Sequence, residues 1–340
     1  MAVAFFFEIL YREGALLHIS KKHFEEPYCS NSGGIAMHRS KKYKKGKLLY
    51  EGKTKRIYEV MGYPHFVIIE NKDDITKNDD PNQTRKMKSK AKIATKTTCL
   101  IFEILQKEGI PVAYIEQISD TEFVALKTRM VGLELIERRY PVGSFINRHP
   151  AFKGEEAKPH RFSKPIFEAF LKTTGGKIVS YLGEHMGSLP KDGETGRVID
   201  DPFISNPYDP LWSISHPKMV VDSEGSQLCT LFATDILPPE ISMQLIKEMV
   251  KEAFLTIENL FKLVSIALVD FKVEVGMDSY GRLVISDVID NDSWRLRTLA
   301  GWRELSKELF RQNKDMKEIE EAYEFVLIEL TRAVEIYKNL

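Results

Sequence analysis

LVDFKVEVG, residues 268–276, sets Asp270, Lys272 and Glu274 at every second position of an otherwise apolar run. Side chains of a strand alternate between its faces, so the three charges share one face while Phe271, Val273 and Val275 occupy the other. Gly276 and DSYG at 278–281 follow as a turn, and RLVISDVI returns, so the sequence predicts a β-hairpin. With a loop of residues 278–281, Arg282 pairs with Met277 and Asp287 falls opposite Lys272, on the charged face. That face then holds three carboxylates around one ammonium, and IDNDSWRL beside it adds Asp290, Asp292 and Arg295. Carboxylates gathered in this way repel one another unless a cation lies among them, and Mg²⁺ is held by one or two carboxylates together with substrate oxygens. A hairpin that merely wets its polar face shows the same alternation, so a second feature has to decide.

YEGKTK at 50–55 supplies one. Gly52 between two strands lets the backbone approach a phosphate, and Lys53, Thr54 and Lys55 add ammonium charge and a hydroxyl where phosphate oxygens would sit. The pattern resembles a hairpin lid over ATP and is not a Walker A loop, because G-x-x-x-x-G-K-[ST] is absent. Arg138 and Arg139 ahead of PVGS form a third feature: guanidinium forks, the exposed backbone at Gly143 and the Ser144 hydroxyl suit a phosphate or carboxylate, with a surface salt bridge as the plainer reading. The eight histidines have no metal-ligand spacing, and no nucleophile is assigned.

Around these features the chain reads as a soluble globular protein. Its 49 basic and 49 acidic side chains balance to a net charge of +0, which excludes a global field for nucleic acid or an anionic membrane. Cys29, Cys99 and Cys229 lack C-x-x-C spacing, so a reducing, cytoplasmic setting is expected. The opening AVAFFFEIL has neither a basic leader nor a cleavage site, and no membrane span is expected. Residues 1–46 read as an N-terminal extension carrying the basic run at 39–47, with Met37 a candidate alternative start. LLYEG, KRIYEV and HFVIIE predict an antiparallel meander, and Ile93, Thr97, Leu100, Ile101, Ile104 and Leu105 a helix packed on it. The seam between two lobes is placed at GLELIERRYPVGS, giving 47–130 as an N-terminal lobe and 131–340 as a C-terminal one. Many Gly and Pro breaks predict long loops over 151–240, and Leu245, Met249, Phe254, Ile257, Leu260 and Phe261 predict an amphipathic helix over 239–264. DMKEIEEAYEFVLIELTRAVEIYKNL predicts a closing helix.

Taken together, YEGKTK, R-x5-S at 138–144, D-x-K-x-E-x-G at 270–276 and DNDSWRL at 290–296 resemble the phosphoribosylaminoimidazole-succinocarboxamide synthase, or SAICAR synthetase, family across about residues 47–310. DNDSWRL is most similar to the synthetase half of animal bifunctional enzymes, and no carboxylase half is expected in this chain. The resemblance implies an α+β, two-lobed fold related to ATP-grasp enzymes and protein kinases, with an antiparallel sheet in the N-terminal lobe. It implies an ATP- and Mg²⁺-dependent ligase of purine biosynthesis that joins L-aspartate to the carboxylate of carboxyaminoimidazole ribonucleotide (CAIR) through an acyl phosphate. Carried onto matching positions, Gly52, Lys53, Thr54 and Lys55 would hold ATP phosphates, Glu274 and Asp287 would bind Mg²⁺, and Arg138, Ser144 and Arg295 would grip the nucleotide substrate. Asp270 and Lys272, the candidate catalytic pair, would line the same pocket, with Asp270 near ribose hydroxyls. The sequence departs from the family pattern at Thr76, Lys77, Asn78 and Asp79, at Gly132, and in the spacing of Asp200, Asp201, Asp209 and Pro210. A small-molecule phosphotransferase of related architecture, or a catalytically silent nucleotide-binding scaffold, is the alternative reading; dependence on L-aspartate separates the first, and Mg²⁺ binding the second. Self-association is left open.

Overall fold

The computed structural model describes residues 42–76, 83–154 and 159–340; the extension with Met37 and the loop residues Lys77, Asn78 and Asp79 lie outside them. Residues 43–340 form one compact unit. In chain order, the first part contains β1 (Lys45–Glu51), β2 (Lys55–Val60), β3 (Tyr63–Asn71), β4 (Asp74–Thr76), β5 (Thr84–Lys86), α1 (Lys90–Lys107), β6 (Tyr114–Gln117) and β7 (Glu122–Leu126). There follow β8 (Arg129–Met130), β9 (Leu133–Arg138), α2 (Ser144–Arg148), β10 (Ile166–Leu171), β11 (Lys177–Val179), β12 (His185–Ser188), β13 (Phe203–Ile204), β14 (Leu211–Ser215) and β15 (Gln227–Phe232). The chain continues with α3 (Ala233–Ile236), α4 (Met243–Lys262), β16 (Ile266–Met277), β17 (Leu283–Ser286), β18 (Trp294–Thr298), α5 (Glu308–Arg311) and α6 (Met316–Lys338).

The predicted meander is present as an antiparallel sheet in the order β1-β2-β3-β7-β6. Helix α1 covers one side of it, burying all six residues whose spacing predicts the helix. Its amino end is tied down from a distance, because the Asp73 carboxylate accepts the Ala91 N–H at 2.9 Å. The second sheet runs β15-β14-β13-β10-β9-β16-β17, with β8 and β18 also pairing with β16. The long loops expected over 151–240 are therefore corrected: β10, β13, β14 and β15 all arise there and extend this sheet. These strands are short and separated by Gly- and Pro-bearing turns, so their periodicity never runs long enough to be read.

Strand β16 is the axis of the second sheet, and α4 lies on its apolar face, where Phe254 meets Phe271 with ring centroids 5.4 Å apart. Helix α4 buries Phe254, Ile257, Leu260 and Phe261 as the spacing predicts, whereas Leu245, near its start, is 43% exposed. The two sheets meet where Val112, beyond α1, bridges Ile285 of β17, and the Ala113 and Ile285 N–H groups donate to the Ile285 and Pro111 carbonyls at 2.9 Å each. Both sheets contribute to a single apolar core.

Candidate active site

The three charges of β16 do share a face. Lys272 Nζ donates to Glu274 Oε1 at 2.9 Å, while Asp270, further along, is buried. The hairpin register is one residue away from the expected one: Glu274 pairs with Ser286 and Met277 with Leu283, so the loop is 278–282. The Asp278 carboxylate enlarges the loop by accepting the Tyr280 and Arg282 N–H groups, at 2.9 Å each. Asp287 therefore does not sit opposite Lys272 within the ladder. It follows the end of β17 at φ 68°, a conformation costly for a side chain with a Cβ. There its carboxylate forms an ion pair with Lys55.

That pair joins the YEGKTK turn to the acidic hairpin. Gly52 and Lys55 close the turn through a 2.9 Å hydrogen bond from the Gly52 N–H to the Lys55 carbonyl, and β2 starts with Lys55 directed at Asp287. Burial alone would raise the Glu274 carboxyl, but Lys272, Lys172 and Lys55 around it override that and hold it at about 2. Lys55 thus stands between Asp287, its partner, and the field of Glu274.

The expectation of a single ammonium among the carboxylates is corrected as well. Lys172, after β10, lies 3.5 Å from Glu274 Oε1 and pairs with Glu134 of β9, and Lys272 approaches Glu134 at 3.9 Å. Burial works against the charge on Lys172, yet Glu134 and Glu274 raise its affinity for the proton above the ordinary lysine value. Asp201 borders the same group at φ 48°; burial and then Glu134 push its carboxyl up to about 6. Glu134, Lys172 and Asp201 carry no local sequence signal, because sheet pairing alone brings β9 beside β16 and β10 beside β9. The assembly thus opposes the carboxylates of Glu134, Asp201, Glu274 and Asp287 to the ammonium groups of Lys55, Lys172 and Lys272. This leaves excess negative charge from hard oxygen donors, which fits Mg²⁺. Among the described residues no three His, Cys, Asp or Glu side chains form a protein-only metal cage. Mg²⁺ does not need one when substrate oxygens complete its shell.

A second cluster adjoins the first at Asp270. Arg138 Nη1 and Arg295 Nη1 both donate to Asp270 Oδ2, at 2.5 and 2.7 Å. Arg138 also donates from Nε and Nη2 to Glu168 at 2.9 and 2.8 Å and to the Val142 carbonyl at 2.9 Å. Glu168 in turn takes Arg148. Arg138 is 1% exposed, so the fork that suits a ligand carboxylate or phosphate is here occupied by carboxylates of the protein itself. Arg139 is likewise spent, on both oxygens of Glu258 at 2.6 Å. Arg295 is different: its side chain is 21% exposed, and its guanidinium packs so closely on Gly143 that a Cβ there would lie 2.6 Å from Nη2. Gly143 has φ +60° and immediately precedes Ser144, so one glycine both turns the chain and leaves room for the guanidinium. DNDSWRL folds as a tight turn in which the Asp290 carboxylate accepts the Asp292 N–H at 2.9 Å, and β18 then sets Arg295 across from Asp270. Asp292 takes the buried Lys90 at 3.2 Å and Lys307 at 3.1 Å, which locks this turn to α1.

Known proteins share this architecture. A crystal structure of phosphoribosylaminoimidazole-succinocarboxamide synthase from Ehrlichia chaffeensis aligns with a TM-score of 0.61 at 23% identity, covering 84% of this chain and 98% of that one. A SAICAR synthetase in complex with ADP aligns with a TM-score of 0.59 at 24% identity over 83% and 97%. The fold is therefore that of SAICAR synthetases. The sequence carries the relation further: the family model for SAICAR synthetase matches residues 48–180 and 232–329, and the chain belongs to that family. A probable multifunctional protein ADE2 from Caenorhabditis elegans is 34% identical over 293 residues, 85% of this chain and 57% of that protein. The human bifunctional phosphoribosylaminoimidazole carboxylase/phosphoribosylaminoimidazole succinocarboxamide synthetase is 30% identical over 277 residues, 81% and 54% of the two chains. A phosphoribosylaminoimidazole-succinocarboxamide synthase from Chloroflexus aurantiacus is 29% identical over 251 residues, 74% of this chain and 80% of that one. The chain spans about half the length of the animal relatives it matches.

Proposed function

We propose that this chain is an ATP-dependent ligase that joins L-aspartate to the carboxylate of CAIR, giving SAICAR, ADP and phosphate. The observation that carries the reading is the junction of the YEGKTK turn with the acidic hairpin, where Lys55 meets Asp287 beside Glu274, in a chain of this family. In this reading Gly52 and Thr54 approach the ATP phosphates with backbone and hydroxyl, and Lys53 and Lys55 supply ammonium charge. Glu274 and Asp287 would hold Mg²⁺, which supplies positive charge between the nucleotide phosphates and a substrate carboxylate. Ser144 and Arg295 receive the CAIR phosphate, Asp270 faces its ribose, and Arg138 acts one step removed by holding Asp270 in place. Lys272 and Lys172 lie where negative charge gathers.

A CAIR carboxylate oxygen attacks the γ-phosphorus, the bond to the β–γ bridging oxygen breaks, and ADP leaves. The aspartate amine then attacks the acyl carbon, the C–O bond to phosphate breaks, and inorganic phosphate departs with the proton that the amine gives up. The protein's contribution is to place anions that repel one another within reach and to surround them with fixed positive charge. The division at about residue 130 into nucleotide-binding and substrate-binding lobes, and a cytoplasmic site of action, belong to the same proposal. A coupled ADP-release assay with CAIR tests it: release should require L-aspartate. ADP release that ignores L-aspartate would replace the ligase by a phosphotransferase.

A further inference from the structure

Glu137 stands apart from the chemistry above. It lies on β9 one residue before Arg138, so its side chain enters the opposite side of the sheet, the side covered by α4. In register it stands between Phe167 of β10 and Phe271 of β16, both without a titratable group. It is 1% exposed, and neither carboxyl oxygen has a hydrogen-bond partner. A buried charge with no partner is costly, whereas the protonated carboxyl is far less so. The charged groups facing it are known from each element around it. Arg139, immediately after β9, is taken by Glu258 of α4. Helix α4 itself contributes Lys247, Glu248 and Lys251, and the loop after β13 contributes Tyr208. Lys247 lies over the Tyr208 ring, 5.1 Å from its centroid, and Lys251 bonds Glu248 at 3.1 Å.

We propose that Glu137 is a proton-linked switch between the sheet and α4: neutral, it is sealed under the helix, and ionised, it draws on the Lys247 and Lys251 side of α4 and loosens that contact. Burial raises its carboxyl to about 7, against the opposing pull of Lys247, Lys251 and Arg139. Because the folded value lies above the ordinary 4.5, the folded state binds the extra proton between the two, and stability falls as pH rises through that window. Such a position is separate from the ligand-binding face, so its effect does not depend on the proposed reaction.

The test compares the full chain with Glu137→Gln by urea unfolding at pH 5 and pH 8. The variant keeps the neutral form at all pH, so its folding equilibrium should gain on the wild type by roughly 70-fold between the two conditions. Asp201 titrates equally in both proteins and cancels in the comparison. An advantage of the same size at both pH values would overturn the proposal. Should the variant not fold, amide exchange of wild-type α4, corrected for intrinsic rates, provides the second measurement. A fall in α4 protection from pH 5 to pH 8 that exceeds the fall in α1 supports the switch, and an equal fall in both helices refutes it.

Discussion

Arg138 and Arg295 donate to the same oxygen of Asp270, but they differ in what their loss would cost. Arg138 is sealed, and removing it takes a partner from two buried carboxylates, leaving Glu168 to Arg148 alone and Asp270 to Arg295 alone. Arg138→Ala should therefore destabilise the fold by about 3–5 kcal/mol, seen as a lower midpoint in denaturant. Arg295→Lys keeps the charge but loses the fork, at a position open to ligand; the KM for CAIR should rise, with the melting temperature nearly kept. Glu274→Ala and Asp287→Ala should each lower turnover by roughly 100-fold or more while leaving the protein folded, because they remove the acidic oxygens proposed for Mg²⁺. Retained turnover in either variant contradicts the assignment. At this scale the sequence was legible where charges alternate on one strand, as at Asp270, Lys272 and Glu274. It was silent where partners come from other strands, as with Glu168 and Lys172, because nothing local in a sequence records which distant side chain will face an arginine.

Single elements decide how the site is presented. The 278–282 loop shifts β17 by one residue against the simplest hairpin, and the shift ends the strand before Asp287, which then turns at positive φ toward Lys55. The Asp278 side chain bonds that stabilise the longer loop could have been suspected from an Asp at a turn start, but the count of loop residues could not. At the start of α2, Gly143→Ala would both strain the backbone and push into the Arg295 guanidinium; the expected result is weaker CAIR binding by calorimetry with ATP binding unchanged. On the other side of the sheet, Phe254→Ala opens a cavity against Phe271 and should cost about 3–5 kcal/mol in thermal or chemical unfolding. Helices α1, α4 and α6 were readable from their apolar period. The strands between 166 and 232 were not, since two to six residues give too short a run for period 2 to stand out against turns.

For the molecule as a whole, carboxyls of opposite tendency set the response to pH. Glu274, held at about 2, contributes stability above its ordinary 4.5 that is lost as pH falls toward 2, about 3 kcal/mol in all. Glu137, raised to about 7, and Asp201, raised to about 6, act in the reverse sense and remove stability as pH rises above their ordinary values of 4.5 and 3.8. Their sum places greatest stability well on the acid side of neutrality, at about pH 4, which melting curves from pH 3 to 8 would show as a maximum there. A steady rise up to neutral pH would contradict it. The overall architecture was legible in part, as an antiparallel meander with a helix packed on it and a charged hairpin further along, because the meander and the charged strand each carry their own period. Finally, β16 is hydrogen-bonded to β8, β9, β17 and β18 at once, so one extra residue between Asp270 and Glu274 could not be absorbed at an edge. It would place Asp270 and Glu274 on opposite faces of the sheet, turning charge inward onto the α4 side and sending apolar side chains outward, abolishing architecture and chemistry together. Length variation among related chains should therefore avoid this strand and collect in the connections around it.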